Sequence, residues 1–296
     1  MERDTVLQAG ASAYQQLVYK VSEPFKSFSM VDAIALGGSQ TTGTKDGHSD
    51  IDLYVYTTTD VPLSHRQAIV NQLGASRADL NLTFWGPGDE WFDAETGIEV
   101  DVIYFDKGWM QDHLDQVLVL HQASLGYTTC FWHTVLNSAL LFDRHGWFAA
   151  LQRQCSQPYP EKLKRAILAK NHPPLRQVIP SYYAQIKKAI ERQDLVSLNH
   201  RVAALVASYF EVLFALNELP HPGEKKLVRI AQERCSKLPA RFKDELEEVL
   251  TASATGQDEL LGKLDQLLDS LDQLLLAEGF DPARSLEFNE DPSGGD

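Results

Sequence analysis

Near residue 150 the spacing of apolar residues changes period, and that change restricts what the chain can fold into. Before it, short apolar runs alternate with polar turns. They lie at 31–37 ("VDAIALG"), 51–57 ("IDLYVYT"), 80–86 ("LNLTFWG"), 97–105 ("GIEVDVIYF") and 138–143 ("SALLFD"). β-Branched and aromatic residues recur in these runs, which is strand chemistry. Helical spacing is interposed at 5–28, at 64–74 between Ser64 and Gly74, and at about 108–122. Pro87, Gly88 and the polar residues after them read as the loop of a long hairpin. Beyond 150 the strand signals stop. Helices are expected near 160–170, 175–192, 194–217, 223–235, 239–252 and 257–277, with breaks at "NHPP", "LPHPG" and "TGQ". The expected fold class is therefore α+β: a mixed β-sheet with flanking helices over 1–150, then an all-helical bundle over 151–285. The acidic tail 286–296 is too polar to pack and is expected to be disordered. In the last helix Leu264, Leu267, Leu268, Leu271, Leu274 and Leu275 form one face, suited to the bundle core, with a homodimer contact as the alternative.

The chain of 296 residues carries a net charge of −14, which argues against a general nucleic-acid binder. The charge is unevenly spread. Residues 1–150 hold 8 basic and 19 acidic residues, whereas 160–243 hold 16 basic and 7 acidic ones. An acidic half suits a cation and a basic segment suits a polyanion. The N-terminus "MERDTVLQAG" is charged where a signal peptide would be apolar, and no apolar run reaches the roughly 20 residues of a membrane span. Three widely spaced cysteines indicate neither a disulfide framework nor a zinc ribbon. A reduced cytoplasm is the expected setting.

Chemistry concentrates in "AIALGGSQTTGTKDGHSDIDLYVY", residues 33–56. An apolar run ends at Gly37-Gly38-Ser39, and a second begins around Asp50 and Asp52. Residues i and i+2 of a strand share a face, so the two carboxylates project together. Like charges so placed call for a cation between them, and hard oxygen ligands suit Mg²⁺ completed by substrate phosphates. Glycines let backbone approach a ligand closely, and N–H groups with a serine hydroxyl can hold phosphate oxygens. The turn lacks both the Gly-Lys-Ser/Thr ending of a P-loop and the Gly-x-Gly-x-x-Gly of a dinucleotide site.

"LGGS", a gap of about ten residues and "DIDLYVY" together resemble the nucleotidyltransferase superfamily of DNA polymerase beta. Within it the chain is most similar to the bacterial aminoglycoside and lincosamide nucleotidyltransferases. The resemblance covers under half of the chain. It implies a third carboxylate on a later strand, which "EVDVIYFD" supplies as Asp101 between Val100 and Val102. Glu99 competes for that place, since both face the same way in a regular strand. The aliphatic neighbours favour Asp101. The resemblance further implies two Mg²⁺ ions on Asp50, Asp52 and Asp101, phosphate contacts from Gly37, Gly38 and Ser39, and a triphosphate contact from the helical domain. For that contact "LNELPHPGEKK" offers Asn217, Lys225 and Lys226, with Lys187 and Lys188 behind them.

The implied reaction moves a nucleoside monophosphate from an NTP, with ATP expected, to an acceptor hydroxyl and releases pyrophosphate. Asp89, Glu90, Asp93, Glu95 and Glu99 read as an acidic loop before the catalytic strand, pointing to a small cationic acceptor such as an aminoglycoside-like antibiotic. A protein acceptor of the toxin–antitoxin type, an RNA acceptor and a non-catalytic binding protein of the same fold remain alternatives.

Overall fold

The computed structural model describes residues 12–38, 50–84, 86–255 and 259–284. The expected acidic tail lies outside them, as does Ser39. The chain forms two compact units, Met1–Leu114 with Thr134–Gln157, and Asp115–His133 with Pro158–Asp296. The second unit thus takes in a segment of the first 150 residues as well as the helical half.

In the first unit, helix α1 (Ala13–Phe25) opens with a capping box. Ser12 Oγ accepts from the Gln15 amide at 3.3 Å and Gln15 Oε1 accepts from the Ser12 amide at 3.0 Å. Strands β1 (Val31–Leu36) and β2 (Ile51–Thr57) follow, then α2 (Leu63–Leu73), β3 (Ala75–Leu82), β4 (Gly88–Asp93) and β5 (Glu99–Asp106). Next along the chain come α3 (Lys107–Leu118) and α4 (Cys130–Asn137), of which 115–118 and 130–133 belong to the second unit, then β6 (Ala139–Asp143) and α5 (Trp147–Cys155). The strands make one sheet in the order β3-β4-β5-β2-β1-β6. β2 and β5 are parallel; the other pairs are antiparallel.

One sheet face is apolar. Ile51, Leu53 and Val55 of β2, Val100 and Val102 of β5 and Trp91 of β4 pack with Leu17, Val18, Val21 and Phe25 of α1 and Ile69 and Val70 of α2. Each fully buried aliphatic side chain of this kind contributes roughly 1.5–3 kcal/mol. Alternation along β2 and β5 sends Asp52, Tyr54, Glu99, Asp101, Ile103 and Phe105 to the opposite, half-exposed face.

Strand β4 occupies the stretch expected to be a loop. Its inward positions are Asp89, Trp91 and Asp93, each 1% exposed, so no apolar alternation marks it. Asp89 is held by Arg66 Nη1 at 2.7 Å, the Asn81 amide at 2.8 Å and the Tyr104 hydroxyl at 2.7 Å. Asp93 accepts from the Thr96 amide and hydroxyl at 2.8 and 2.7 Å, closing the turn into β5. Helices α4 and α5 were also not anticipated; at 8 and 9 residues they are too short for helical periodicity to declare itself.

The second unit is helical: α6 (Glu161–Asn171), α7 (Pro173–Arg176), α8 (Tyr182–Glu191), α9 (Leu195–Leu216), α10 (Leu227–Arg234), α11 (Phe242–Thr255) and α12 (Glu259–Ala277). The single helix expected over 175–192 is two, α7 and α8, with Pro180 between them. α9 starts at the Asp194 cap, whose carboxylate accepts from the Ser197 amide at 3.0 Å, and buries Leu198, Val202, Leu205 and all of 208–216. Leu264, Leu267, Leu268, Leu271 and Leu275 of α12 are buried as expected for a bundle core, and Leu274 is half-buried. A buried polar knot joins the end of α9 to the segment 124–130. Glu211 Oε1 accepts from the Thr128 amide at 3.1 Å, and the His221 amide donates to Thr129 Oγ1 at 2.7 Å. No described helix is long and apolar enough to cross a membrane.

Candidate active site

The open sheet face of the first unit gathers the expected carboxylates by register. In the parallel β2–β5 pair, Asp52 lies beside Asp101 and Ile51 beside Val100. Laterally paired residues point to the same face, so the two aspartates are neighbours across the strands. Asp50 sits exposed one residue before β2, and its carbonyl accepts from the Tyr14 hydroxyl at 3.3 Å. Burial, then the charges of Asp52 and Asp50, push the Tyr14 phenol up to about 12.

The Gly37–Gly38 turn closes directly on this pair. The Gly37 amide donates to the Asp52 carbonyl at 2.9 Å, extending the β1–β2 ladder past Leu36 and Leu53. A Cβ on Gly37 would overlap the ring of Tyr54. A Cβ on Gly38, whose φ is +75°, would overlap the Asp52 carboxylate. Both positions therefore require glycine, for different reasons. Ser39, the expected third member of the grip, is outside the described residues.

The acidic face extends further than expected. β4 places Glu90 beside Asp101 and Phe92 beside Glu99, and β3 places Asp79 beside Glu90 and Arg77 beside Phe92. A hollow of about 240 Å³ here is lined by Arg77, Asp79, Glu90, Trp91, Phe92 and Glu99. A hydrogen bond to Glu90, reinforced by burial and by the charges of Glu90, Asp50 and Asp101, pushes the Glu99 carboxyl up to about 7. Glu99 is thus tied to Glu90. Among the described residues, no group of three or more His, Cys, Asp or Glu side chains is gathered tightly enough to hold a metal ion alone.

The acidic loop expected over 89–99 does not exist as a loop. Asp89 and Asp93 face the core and have partners there; Glu95 is exposed, 3.6 Å from Lys20. Only Glu90 and Glu99 of that set face the carboxylate pair. Glu90 is expected in that loop, but β4 instead sets it beside Asp101. Tyr54 and Tyr14 carried no signal beyond ordinary apolar patterning.

Asn217, Lys225 and Lys226 belong to the second unit. Asn217 ends α9, and its side chain is engaged by backbone. It donates to the Leu213 and Lys237 carbonyls at 2.8 Å each and accepts from the Lys237 amide at 2.8 Å. Both ends of its amide are thus engaged by backbone. Lys225 and Lys226 are exposed, and Lys226, at φ +59°, immediately precedes α10. Lys187 and Lys188 are exposed on α8.

Residues 16–121 match the family model of the nucleotidyltransferase domain, and residues 130–226 match a domain of unknown function, DUF4037. No curated protein matches the chain. Among solved structures, the chain is similar to a nucleotidyltransferase-like protein from Exiguobacterium sibiricum, at 11% identity and a TM-score of 0.43, over 93% of this chain and 76% of that one. It is also similar to the Thermotoga maritima CCA-adding enzyme complexed with tRNA, at 11% identity and a TM-score of 0.32, over 99% and 90% of the respective chains. The family match spans the Gly37–Gly38 turn and all three expected carboxylates, so over residues 16–121 the chain is similar to nucleotidyltransferase domains.

Proposed function

We propose that this protein transfers a nucleoside monophosphate from an NTP, with ATP as the working nucleotide, to a hydroxyl of a small-molecule acceptor. The Asp52–Asp101 pair, in lateral register beneath a turn with no room for side chains, carries this reading. The backbone of Gly37 and Gly38, with Ser39, holds phosphate oxygens. Asp101 accepts the proton as the acceptor oxygen bonds to the α-phosphorus. The bond from that phosphorus to the bridging oxygen breaks, and pyrophosphate leaves.

Asp50, Asp52 and Asp101 fit Mg²⁺ by donor chemistry. Mg²⁺ usually takes one or two carboxylates and fills its shell with water and substrate phosphates, so it does not need a closed protein cage. When bound, one or two such ions supply charge neutralisation along the triphosphate and a lowered pKa for the attacking hydroxyl. Asp50 and Asp52 would hold such an ion with its nucleotide, and Asp101 lies beside Asp52 on the next strand.

Glu90 and Glu99 put two further carboxylates on the same face. That sign of field favours a cationic acceptor over a phosphorylated one. An amine-bearing molecule such as an aminoglycoside-like antibiotic has the required charge and hydroxyls.

Calorimetry with the Asp50→Asn/Asp52→Asn double variant tests the nucleotide half of the reading. Mg²⁺-dependent NTP binding is expected to disappear while the thermal unfolding transition is retained. Binding that survives unchanged in the double variant rules the assignment out. For the acceptor half, labelled-nucleotide transfer is measured to amino sugars, neutral sugars, RNA and cellular protein, at low and high salt. Transfer to RNA or protein alone overturns the small-molecule assignment.

A further inference from the structure

An Asp-x-Asp pair does not itself call for an aromatic residue two positions on, yet Tyr54 there touches the turn. Tyr54 follows Asp52 on the same face of β2. Its register partners are Ala35 of β1 and Ile103 of β5, so it stands between the strand that leads into Gly37 and the strand that carries Asp101. The ring meets Phe105 edge-on, with centroids 5.7 Å apart and planes at 62°. On its other side Cε2, Cζ and the hydroxyl fill the space a Gly37 side chain would occupy. The ring is therefore lodged between Phe105 and the backbone of the turn.

Two contacts then define where the turn sits. The Gly37 amide bond to the Asp52 carbonyl fixes it along the strand, and the Tyr54 ring supports Gly37 from the carboxylate face. Gly38 comes next, with its α-carbon against the Asp52 carboxylate. A smaller side chain at 54 removes the support and lets the turn settle toward the aspartates, narrowing the gap that phosphates must enter. Interiors packed this closely transmit changes of a single methylene, and displacement of about 1 Å at a reacting centre can lower a rate by ~100-fold.

We propose that Tyr54 is a positioning residue whose ring, braced by Phe105, sets the height of the Gly37–Gly38 turn over Asp52 and thereby the nucleotide's affinity. The inference rests on the nucleotidyl-transfer reading and adds to its motif a residue that the motif lacks. Two of the three atoms nearest a Gly37 side chain, Cε2 and Cζ, belong to the ring, so Tyr54→Phe keeps most of the contact. Position 37 and position 54 share one volume, so substitutions at the two are coupled.

The test measures Mg²⁺-dependent NTP binding and steady-state kinetics for the wild-type chain, Tyr54→Phe, Tyr54→Leu, Gly37→Ala and Gly37→Ala/Tyr54→Leu. Thermal melts accompany each variant. Tyr54→Phe is expected to stay within about 3-fold of the wild-type NTP Kd. Tyr54→Leu is expected to weaken NTP by about 10-fold while the acceptor KM holds. Gly37→Ala is expected to weaken NTP at least as much, and the double variant to bind more tightly than Gly37→Ala alone. An unchanged Kd in Tyr54→Leu, or additive losses in the double variant, overturns the inference and leaves the nucleotidyl-transfer reading standing. A wild-type chain that binds no NTP overturns that reading and the inference with it. Should Tyr54→Leu fail to fold, the comparison of Tyr54→Phe with Tyr54→Trp replaces it, the larger ring being expected to weaken NTP by lifting the turn; an unchanged Kd in Tyr54→Trp is then the overturning result.

Discussion

Single residues of the candidate site owe their identity to neighbours on other strands. Gly37 is glycine because of Tyr54 and Gly38 because of its φ of +75° and the Asp52 carboxylate, although in the sequence both read as letting backbone approach a ligand. Asp101 and Glu99 are separated only by their lateral partners. Asp101 stands beside Asp52, whereas Glu99 is hydrogen-bonded to Glu90. On the proposed reading the acceptor's proton goes to Asp101, the carboxylate in register with Asp52. Asp101→Asn should lower kcat by about 10²-fold, the scale of general-base loss, with a smaller change in nucleotide KM. Glu99→Gln should leave kcat within a few fold. Steady-state kinetics on the two variants decide the matter: the reverse ranking moves the role one pleat along β5.

At the scale of elements, β4 is the strand that completes the site, and it is held by a buried ion pair. Arg66 of α2 reaches Asp89 at 2.7 Å while its Nε donates to the Val61 carbonyl at 3.0 Å and its plane lies over the Tyr104 ring at 5.1 Å. The Arg66 and Asp89 side chains are 10% and 1% exposed. Removing one partner leaves the other charge buried and uncompensated, a loss of about 3–5 kcal/mol. Asp89→Ala should therefore destabilise the protein by that amount in urea titration. Asp89→Leu with Arg66→Met should recover much of it, because both charges leave together. Equal losses for the single and double variants contradict this account. The pair also explains why β4 was illegible: alternation that carries aspartate at two of three inward positions does not look like a strand, and only the partners Arg66, Tyr104 and Thr96 make those positions habitable.

For the molecule as a whole, stability should depend on pH through the buried knot of the second unit. Burial pushes Glu211 up to about 7, against hydrogen bonds from the segment around Thr128 that pull the other way. Between about 4.5 and 7 the folded chain keeps a proton that the unfolded chain has released. The contribution of Glu211 is thus complete below about 4.5 and is lost as pH rises through about 7. His133 and His221 act in the opposite sense. Burial first, then Arg234 for His133 and His133 for His221, push both down to about 4, so their contribution is lost as pH falls below the ordinary histidine range. The Glu211 effect is isolated by a difference. Glu211→Gln keeps an acceptor for the Thr128 amide but does not titrate. Relative to wild type the variant should gain stability from pH 5 to pH 8, with a limiting slope of about 1.4 kcal/mol per pH unit. Urea titrations at the two pH values check this, and a difference that does not change with pH refutes it.

The sequence alone determined the division of labour along the chain. The change of period near 150 separated a sheet from a helical region, and the Gly-Gly turn with Asp50, Asp52 and Asp101 marked the candidate site. Both are local signals: periodicity belongs to one element at a time, and the motif's spacing is read along the backbone. Tertiary structure decided which carboxylates become neighbours. Asp52 meets Asp101, and Asp101 meets Glu90, only because β2, β5 and β4 lie side by side in that register. It also withdrew Asp89 and Asp93 from the acidic surface and engaged Asn217 with backbone carbonyls. Strand pairing joins residues far apart in the chain, and burial sets whether a charge faces solvent or a partner. Neither is encoded in the spacing of residues along one segment.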